Sequence, residues 1–398
     1  MLIEKECFWL VTQLFLWHVK ALSEISYRRR LCQCLRLQHR KYQFDILPNW
    51  GLYRPKPTYR FAPLNHYRMK KVLRVVGILL LLTLVAGVGG WAYLRFGKPD
   101  CGDAPKLAIT ATPEKVQRGQ YLANHVAACM DCHSKRDWSR FSGPPVAGME
   151  GAGGEPFTKD MGFPGDFYSK NITPAGLKDW SDGEIFRAVT TGVNKAGDPI
   201  FPVMPFHYYG QSDPEDIESI IAYIRTLPAK QNDVPASKAD FPFSLIMRTI
   251  PHKAVAKKIP MTDDSVAYGG YLVNMAGCIE CHTKVDDKMQ LIAGTEFGGG
   301  REFPLPGGTL RTPNITAHST GIGTWTREQF IQRFKQYLNP ANVPAGLKPT
   351  DYNSIMPWTM YASMSESDLS SIYQYLRSLP MREHMVKRWA PREPIASR

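Results

Sequence analysis

Two short stretches carry the residues best suited to chemistry. Residues 128–138 read ACMDCHSKRDW, and 149 residues after the first cysteine the arrangement returns in GCIECHTK. Each places cysteines at i and i+3 with a histidine directly after: Cys129, Cys132 and His133, then Cys278, Cys281 and His282. Closely spaced cysteines read as disulfides or redox dithiols, and four thiolates together are enough for a Cys₄ zinc site. Neither chemistry gives the adjacent histidine a role, and here it would go unused twice. Covalent haem does. Cysteines three apart share one face of a helical turn, where both thiols reach the vinyl groups of one porphyrin, and the next histidine turns its imidazole to the iron. The sequence therefore predicts two covalently bound haem c groups.

His133 and His282 fill one axial position each, and the opposite ligand must lie at matching places downstream. Met204 and Met356 do so: each is followed by Pro and an aromatic, and each stands 24 residues before a Leu-Pro that closes the last helix. A neutral thioether favours reduced iron and raises its potential. An iron closed on both faces passes electrons and offers no place to a substrate. His125 and His207 have no histidine at the equivalent positions and read as structural; Met360 and Met364 read as packing.

The elements that position these residues are duplicated. Copy one opens with RGQYL and copy two with GGYL, and each reaches its Cys-x-x-Cys-His within a few residues. Each then crosses a Gly/Pro-rich loop to Asn-Ile-Thr at 171–173 and 314–316. A tryptophan precedes each of two helix starts with capping-box character, Ser181 with Glu184 and Thr326 with Gln329. The closing helices carry one apolar stripe: Ile217, Ile220, Ile221, Ile224 and Leu227, repeated 152 residues later as Leu369, Ile372, Tyr373, Leu376 and Leu379. Regular elements other than helices are hard to find. The expected architecture is mainly α: domains at 105–230 and 262–382, a Pro/Lys-rich linker at 231–261 and a basic tail at 383–398.

At 398 residues the chain has room for two domains or so, and its net charge of +13 invites a nucleic-acid reading. Residues 1–71, however, hold 14 Lys/Arg against 4 Asp/Glu, so the remainder carries only +3, too little for a phosphate-binding face. No nucleic-acid partner is expected. The basic block precedes residues 75–94, VVGILLLLTLVAGVGGWAYL, twenty residues without a charge and long enough to cross a bilayer. Lys70, Lys71 and Arg74 on one side, with Trp91 and Tyr93 on the other, make 69–98 an uncleaved single-pass anchor that exports everything beyond it. A cleaved signal peptide is the alternative, but the span exceeds a signal h-region and lacks a clear A-x-A site. Met69-Lys70-Lys71 would itself open an exported protein, so the basic extension 1–68 is expected to be untranslated, the alternative being a cytoplasmic tail. Of the remaining cysteines, Cys7, Cys32 and Cys34 would then be cytoplasmic or absent, and Cys101 alone would be exported and unpaired.

With these residues assembled, the chain resembles the class I cytochrome c family in a tandem dihaem form. PNIT…TGIGTW, IMPW…YASMSESDL and YLRSLP, between 313 and 380, resemble the membrane-associated cytochrome c subunits of periplasmic alcohol, gluconate and related dehydrogenases. The resemblance covers about residues 105–382. It implies that the first helix of each copy, with Gly119 and Tyr121 or Gly269 and Tyr271, crosses the last helix near Tyr223 or Tyr375. Those subunits commonly carry three haems and a different membrane attachment, whereas this chain has two motifs and an N-terminal span. The resemblance further implies an electron carrier in the inner membrane, haem domains on the periplasmic side. Its partners would be a periplasmic dehydrogenase or quinol donor and a respiratory acceptor, such as another carrier or a terminal oxidase. The competing reading is a dihaem redox enzyme of peroxidase or thiosulfate-oxidising type, for which Cys101 is the available thiolate.

Overall fold

The computed structural model describes residues 66–392. The expectation that residues 1–68 are untranslated thus falls almost wholly outside the described residues, as does the end of the basic tail. The chain divides into compact units at Val76/Gly77. Helix α1 (His66–Phe96) contains the apolar run read from the sequence, and its leucines and valines are exposed along its length. Its 28 residues from Met69 are long and apolar enough to cross a membrane.

From residue 113 onward the repeat in the sequence becomes a repeat of elements. The first copy runs α2 (Pro113–Tyr121), α3 (Cys129–Cys132), β1 (Pro156–Phe157), β2 (Gly165–Tyr168), α4 (Asp182–Thr191), α5 (Phe206–Tyr209), α6 (Pro214–Thr226) and β3 (Lys238–Ala239). The second runs α7 (Ser265–Met275), α8 (Cys278–Cys281), β4 (Glu302–Leu305), β5 (Gly308–Arg311), α9 (Arg327–Lys335), α10 (Trp358–Tyr361), α11 (Glu366–Ser378) and β6 (Trp389–Pro391). Both expected capping boxes form. Ser181 Oγ accepts from Glu184 N–H while the Glu184 carboxylate accepts from Ser181 N–H, and Thr326 and Gln329 do the same. Helices α6 and α11 end at Leu227 and Leu379 in extended backbone, as the following prolines require.

Within each copy the first and last helices cross in backbone contact. A Cβ built on Gly119 would stand 1.7 Å from the Ser219 carbonyl oxygen, and one on Gly269 would stand 2.0 Å from that of Ser371. Only glycine permits this approach. It lies one turn before Tyr223 and Tyr375, and the paired tyrosines do something else. Tyr121 OH donates to Asp368 Oδ2 at 2.6 Å and accepts from Ser365 N–H, both at the start of α11. Reciprocally, Tyr271 OH donates to Asp216 Oδ2 at 2.6 Å and accepts from Asp213 N–H at the start of α6. Each first helix thus satisfies orphan N–H groups at the N-terminus of the other copy's last helix. Asp216 also takes a two-pronged pair from Arg118 of its own copy at 2.9 and 2.8 Å.

The loops hold more regular structure than the sequence announces. Strands β1–β2–β3 and β4–β5–β6 form two small antiparallel sheets. Their third strands come from the stretches read as linker and tail: Gly165 pairs with Ala239 and Gly308 with Pro391. The chain past each closing helix therefore folds back onto its own copy.

Replacing Gly119 or Gly269 with alanine should force the crossing apart and cost about 3 kcal/mol. Thermal unfolding of the purified variants checks this; an unchanged midpoint for both would show that the crossing tolerates a side chain.

Candidate haem-attachment sites

Each cysteine pair occupies a single helical turn, α3 or α8, entered through a left-handed residue: Ala128 at φ 50° and Gly277 at φ 62°. The turn sets both thiols on one side and delivers His133 or His282 at its end. Among the described residues, Cys101, Cys129, Cys132, Cys278 and Cys281 are all free thiols. Burial pushes Cys129, Cys132 and Cys278 up to about 12 and raises Cys281 as well. Burial therefore favours the uncharged form of these thiols. Among the described residues, no three His, Cys, Asp or Glu side chains converge as a metal cluster.

The histidines are held alike. His133 Nδ1 lies 2.8 Å from the Lys170 carbonyl oxygen and His282 Nδ1 lies 2.9 Å from that of Pro313. A carbonyl only accepts, so Nδ1 carries the proton in both rings and Nε2 is left with its lone pair. Burial lowers both imidazoles and the carbonyl bonds only partly oppose it, so the rings are neutral donors ready for a metal. The backbone of each histidine is fixed too: its carbonyl accepts from Gly153 or Gly299 N–H at 2.8 Å. Both glycines sit at positive φ, 73° and 71°, and a Cβ there would come within 2.6 Å of the Asn171 nitrogen or 2.3 Å of the Pro313 carbonyl carbon. The Gly-rich loop is what lets the orienting carbonyl come close to the ring.

The Asn-Ile-Thr repeat completes this frame. Asn171 Oδ1 accepts from the N–H and hydroxyl of Thr173, and its Nδ2 donates to the Lys230 carbonyl at 2.7 Å. Asn314 does the same with Thr316 and the Arg382 carbonyl, also at 2.7 Å. One amide in each copy thus ties the carbonyl-bearing loop to the chain leaving the last helix.

Met204 and Met356 occupy identical turns. The carbonyl of each accepts from the N–H two residues on, at 2.8 and 2.7 Å, across a proline at φ −82°, ψ 52° or φ −76°, ψ 62°. This is the inverse γ-turn. Both methionines are partly buried and pack, with Cys129 and Cys278, on one continuous apolar cluster. Five residues after each stands a buried tyrosine that the sequence reading passed over. Tyr209 OH donates to the Ala127 carbonyl at 2.9 Å and Tyr361 OH to that of Ala276 at 3.3 Å. Each ties its methionine-bearing segment to the entrance of its cysteine turn, and the equal spacing was the available signal.

The remaining candidates have other partners. His125 Nδ1 donates to the Met360 carbonyl at 3.0 Å, and His207 lies 3.2 Å from Glu280. Glu280, inside the second cysteine pair, also accepts from Tyr208 OH at 2.6 Å. Burial would raise its carboxyl, but His207, Tyr208 and Arg301 outweigh that and hold it down at about 2. Met360 and Met364 are buried in the core. Cys101 is buried too, with its thiol raised by burial against the opposing bond to Thr191.

No family model matches the chain. The fructose dehydrogenase cytochrome subunit of Gluconobacter japonicus is 28% identical over 284 residues, which is 67% of this chain and 52% of that protein. The gluconate 2-dehydrogenase cytochrome c subunit of Pantoea cypripedii is 29% identical over 289 residues, 66% of this chain and 59% of that protein. This chain thus spans between half and three fifths of the length of these two. The diheme cytochrome c-type protein of Cereibacter sphaeroides is 26% identical over 318 residues, 76% of this chain and 96% of that protein. By its motifs and by these relatives, the chain is similar to the cytochrome c subunits of sugar and sugar-acid dehydrogenases and to a diheme cytochrome c.

Proposed function

We propose that the chain is a membrane-anchored dihaem c-type cytochrome that passes electrons from a periplasmic dehydrogenase or quinol donor to a respiratory acceptor. Two tandem class I domains, 105–230 and 262–382 with the strands that follow them, each hold one haem. Cys129 and Cys132 attach the first and Cys278 and Cys281 the second. His133 with Met204, and His282 with Met356, would hold the two irons. The observation that carries this reading is the double occurrence of one arrangement: an Nδ1 held by a backbone carbonyl, at the end of a turn bearing two free cysteines.

Haem c, when bound, would supply one-electron redox chemistry at each site. The chain's own residues do the rest. Lys170 and Pro313 fix the tautomer and plane of the histidines, Tyr209 and Tyr361 hold the methionine-bearing segments in register with the cysteine turns, and the apolar cluster excludes water. Residues 75–94 anchor the haem domains to the periplasmic face of the inner membrane. The dehydrogenase partnership rests on the relatives, and co-purification from solubilised membranes followed by identification of the bound proteins tests it. A preparation carrying no dehydrogenase would turn the search toward a quinol donor.

Denatured protein should keep haem-dependent peroxidase stain on a gel. Cys129→Ala with Cys278→Ala should remove it, whereas stain lost from the unmutated chain would defeat the covalent assignment.

The oxidised protein should show the weak far-red band of sulfur-ligated haem c at an intensity for two haems. Met204→His or Met356→His should each abolish half of it and lower one midpoint potential, because imidazole stabilises ferric iron better than a thioether does. Free binding of carbon monoxide to a haem of the unmutated reduced protein would instead favour an enzyme.

A further inference from the structure

The two methionine turns match in backbone but not in what supports them. Met204 N–H donates only to the Phe201 carbonyl, within its own copy. The Met356 turn is clasped from outside by Ser142, a residue of the first copy. Ser142 Oγ donates to the Met356 carbonyl at 2.5 Å and accepts from Trp358 N–H at 3.0 Å, so one hydroxyl spans the turn. Ser142 is fully buried and sits at φ 68°, in the left-handed region that a serine enters only when its surroundings impose it.

Arg136 of its own copy donates to the Ser142 carbonyl at 2.7 Å, and the other surroundings come from the second copy. Ser142 N–H donates to Asn353 Oδ1 at 2.9 Å, and Asn353 Nδ2 donates back to the carbonyls of Trp138 and Arg140. Phe141 N–H donates to the Pro344 carbonyl, Leu347 N–H donates to that of Ser139, and the Phe141 ring stacks on Tyr337. Tyr337, Phe334 and Arg333 in turn enclose the Trp358 ring. The hairpin that carries Ser142 begins four residues past His133 and is longer than its counterpart in the other copy. Asp137 N–H pairs with the Pro144 carbonyl, seven residues on, and Asp286 N–H pairs with that of Gln290, four residues on. The first copy's hairpin is thus three residues longer, and Phe141 and Ser142 lie in the longer part.

We propose that Ser142 is a positioning residue for the sixth ligand of the second haem: the first domain, through this one hydroxyl, sets how firmly Met356 is held. The proposal rests on Met356 being that ligand. It makes the two irons unequal. The closed state of the second depends on docking of the hairpin next to the first haem, while the first keeps its own ligand turn. A disturbance at the first haem's attachment segment therefore reaches the second iron through a chain of contacts only ten residues long, from His133 to Ser142.

The test uses the full-length haem-loaded protein in detergent. Ser142→Gly removes the hydroxyl and suits the positive φ, so the fold should stand, with haem stain and melting midpoint as controls. Loss of two hydrogen bonds to the turn should speed carbon monoxide combination with one reduced haem roughly tenfold. It should also weaken the far-red band by up to half and lower one midpoint potential, leaving the other unchanged. Ser142→Ala should behave alike, since it lacks the same hydroxyl. If only the alanine variant responds, backbone strain is the cause and the proposal fails; it fails equally if neither responds. Met356→His measured alongside separates the two readings. Should it leave the far-red band at full strength, the axial assignment itself is wrong; should it halve the band while Ser142→Gly matches the unmutated protein, only the role of Ser142 is refuted.

Discussion

Backbone meets backbone where the first helix of each copy crosses the last, and the remaining geometry is hung from that contact. Gly119 against the Ser219 carbonyl and Gly269 against that of Ser371 bring the helices closer than any side chain would allow. The first helix hands the chain directly to a cysteine turn, and the last hands it to the residue whose carbonyl anchors Asn171 or Asn314. A change in the crossing distance would therefore move the two ends of each site relative to one another. The buried isoleucines and leucines of α6 and α11 give the crossing its adhesion, each worth about 1.5–3 kcal/mol on burial. The glycines give it its distance.

The two copies are joined by polar bonds placed where helices need them. Asp213 caps α6 and Ser365 caps α11, Asp216 and Asp368 stand in the first turns of those helices, and a tyrosine from the opposite copy joins each set. Buried carboxylates are costly unless fully partnered. Asp216, with Arg118 of its own copy on one side and Tyr271 on the other, is fully partnered only when both copies are in place. The same surface that joins the copies thus also satisfies the charges within them. Superimposed on this near-symmetry is the single-sided clasp of Ser142, which arises from three additional residues in the first copy's hairpin and from a longer segment between Trp325 and Met356 in the second.

Much of this was legible because the chemistry is repeated. A serine three residues before a glutamate, or a threonine before a glutamine, announces a helix start wherever it occurs, and both formed. The stripe on the last helices declared itself through spacing alone. What escaped was whatever depends on main-chain atoms. The partner of His133 Nδ1 is a lysine and that of His282 a proline, so side-chain identity conceals that both positions do one job through a carbonyl. Strands of two to four residues fall below any periodicity, and the resemblance placed Tyr121 and Tyr271 within their own copy because nothing in a linear repeat shows which copy a hydroxyl will reach. Ser142 could not have been found at all: a serine in a loop acquires meaning only from the turn it lands on.

The strands contributed by the stretches after the closing helices carry a further consequence. β2 and β5 each lie in the middle of a small sheet only because β3 and β6 cover one flank. Without them, Gly165–Tyr168 and Gly308–Arg311 would present bare N–H and C=O rows, the kind of template on which separate chains stack. In the second copy the covering strand ends in Pro391, which has no N–H to offer a newcomer, and Trp389 packs its ring against Tyr352. These covering strands work as selvedge, the finished margin that keeps a woven cloth from joining its neighbour.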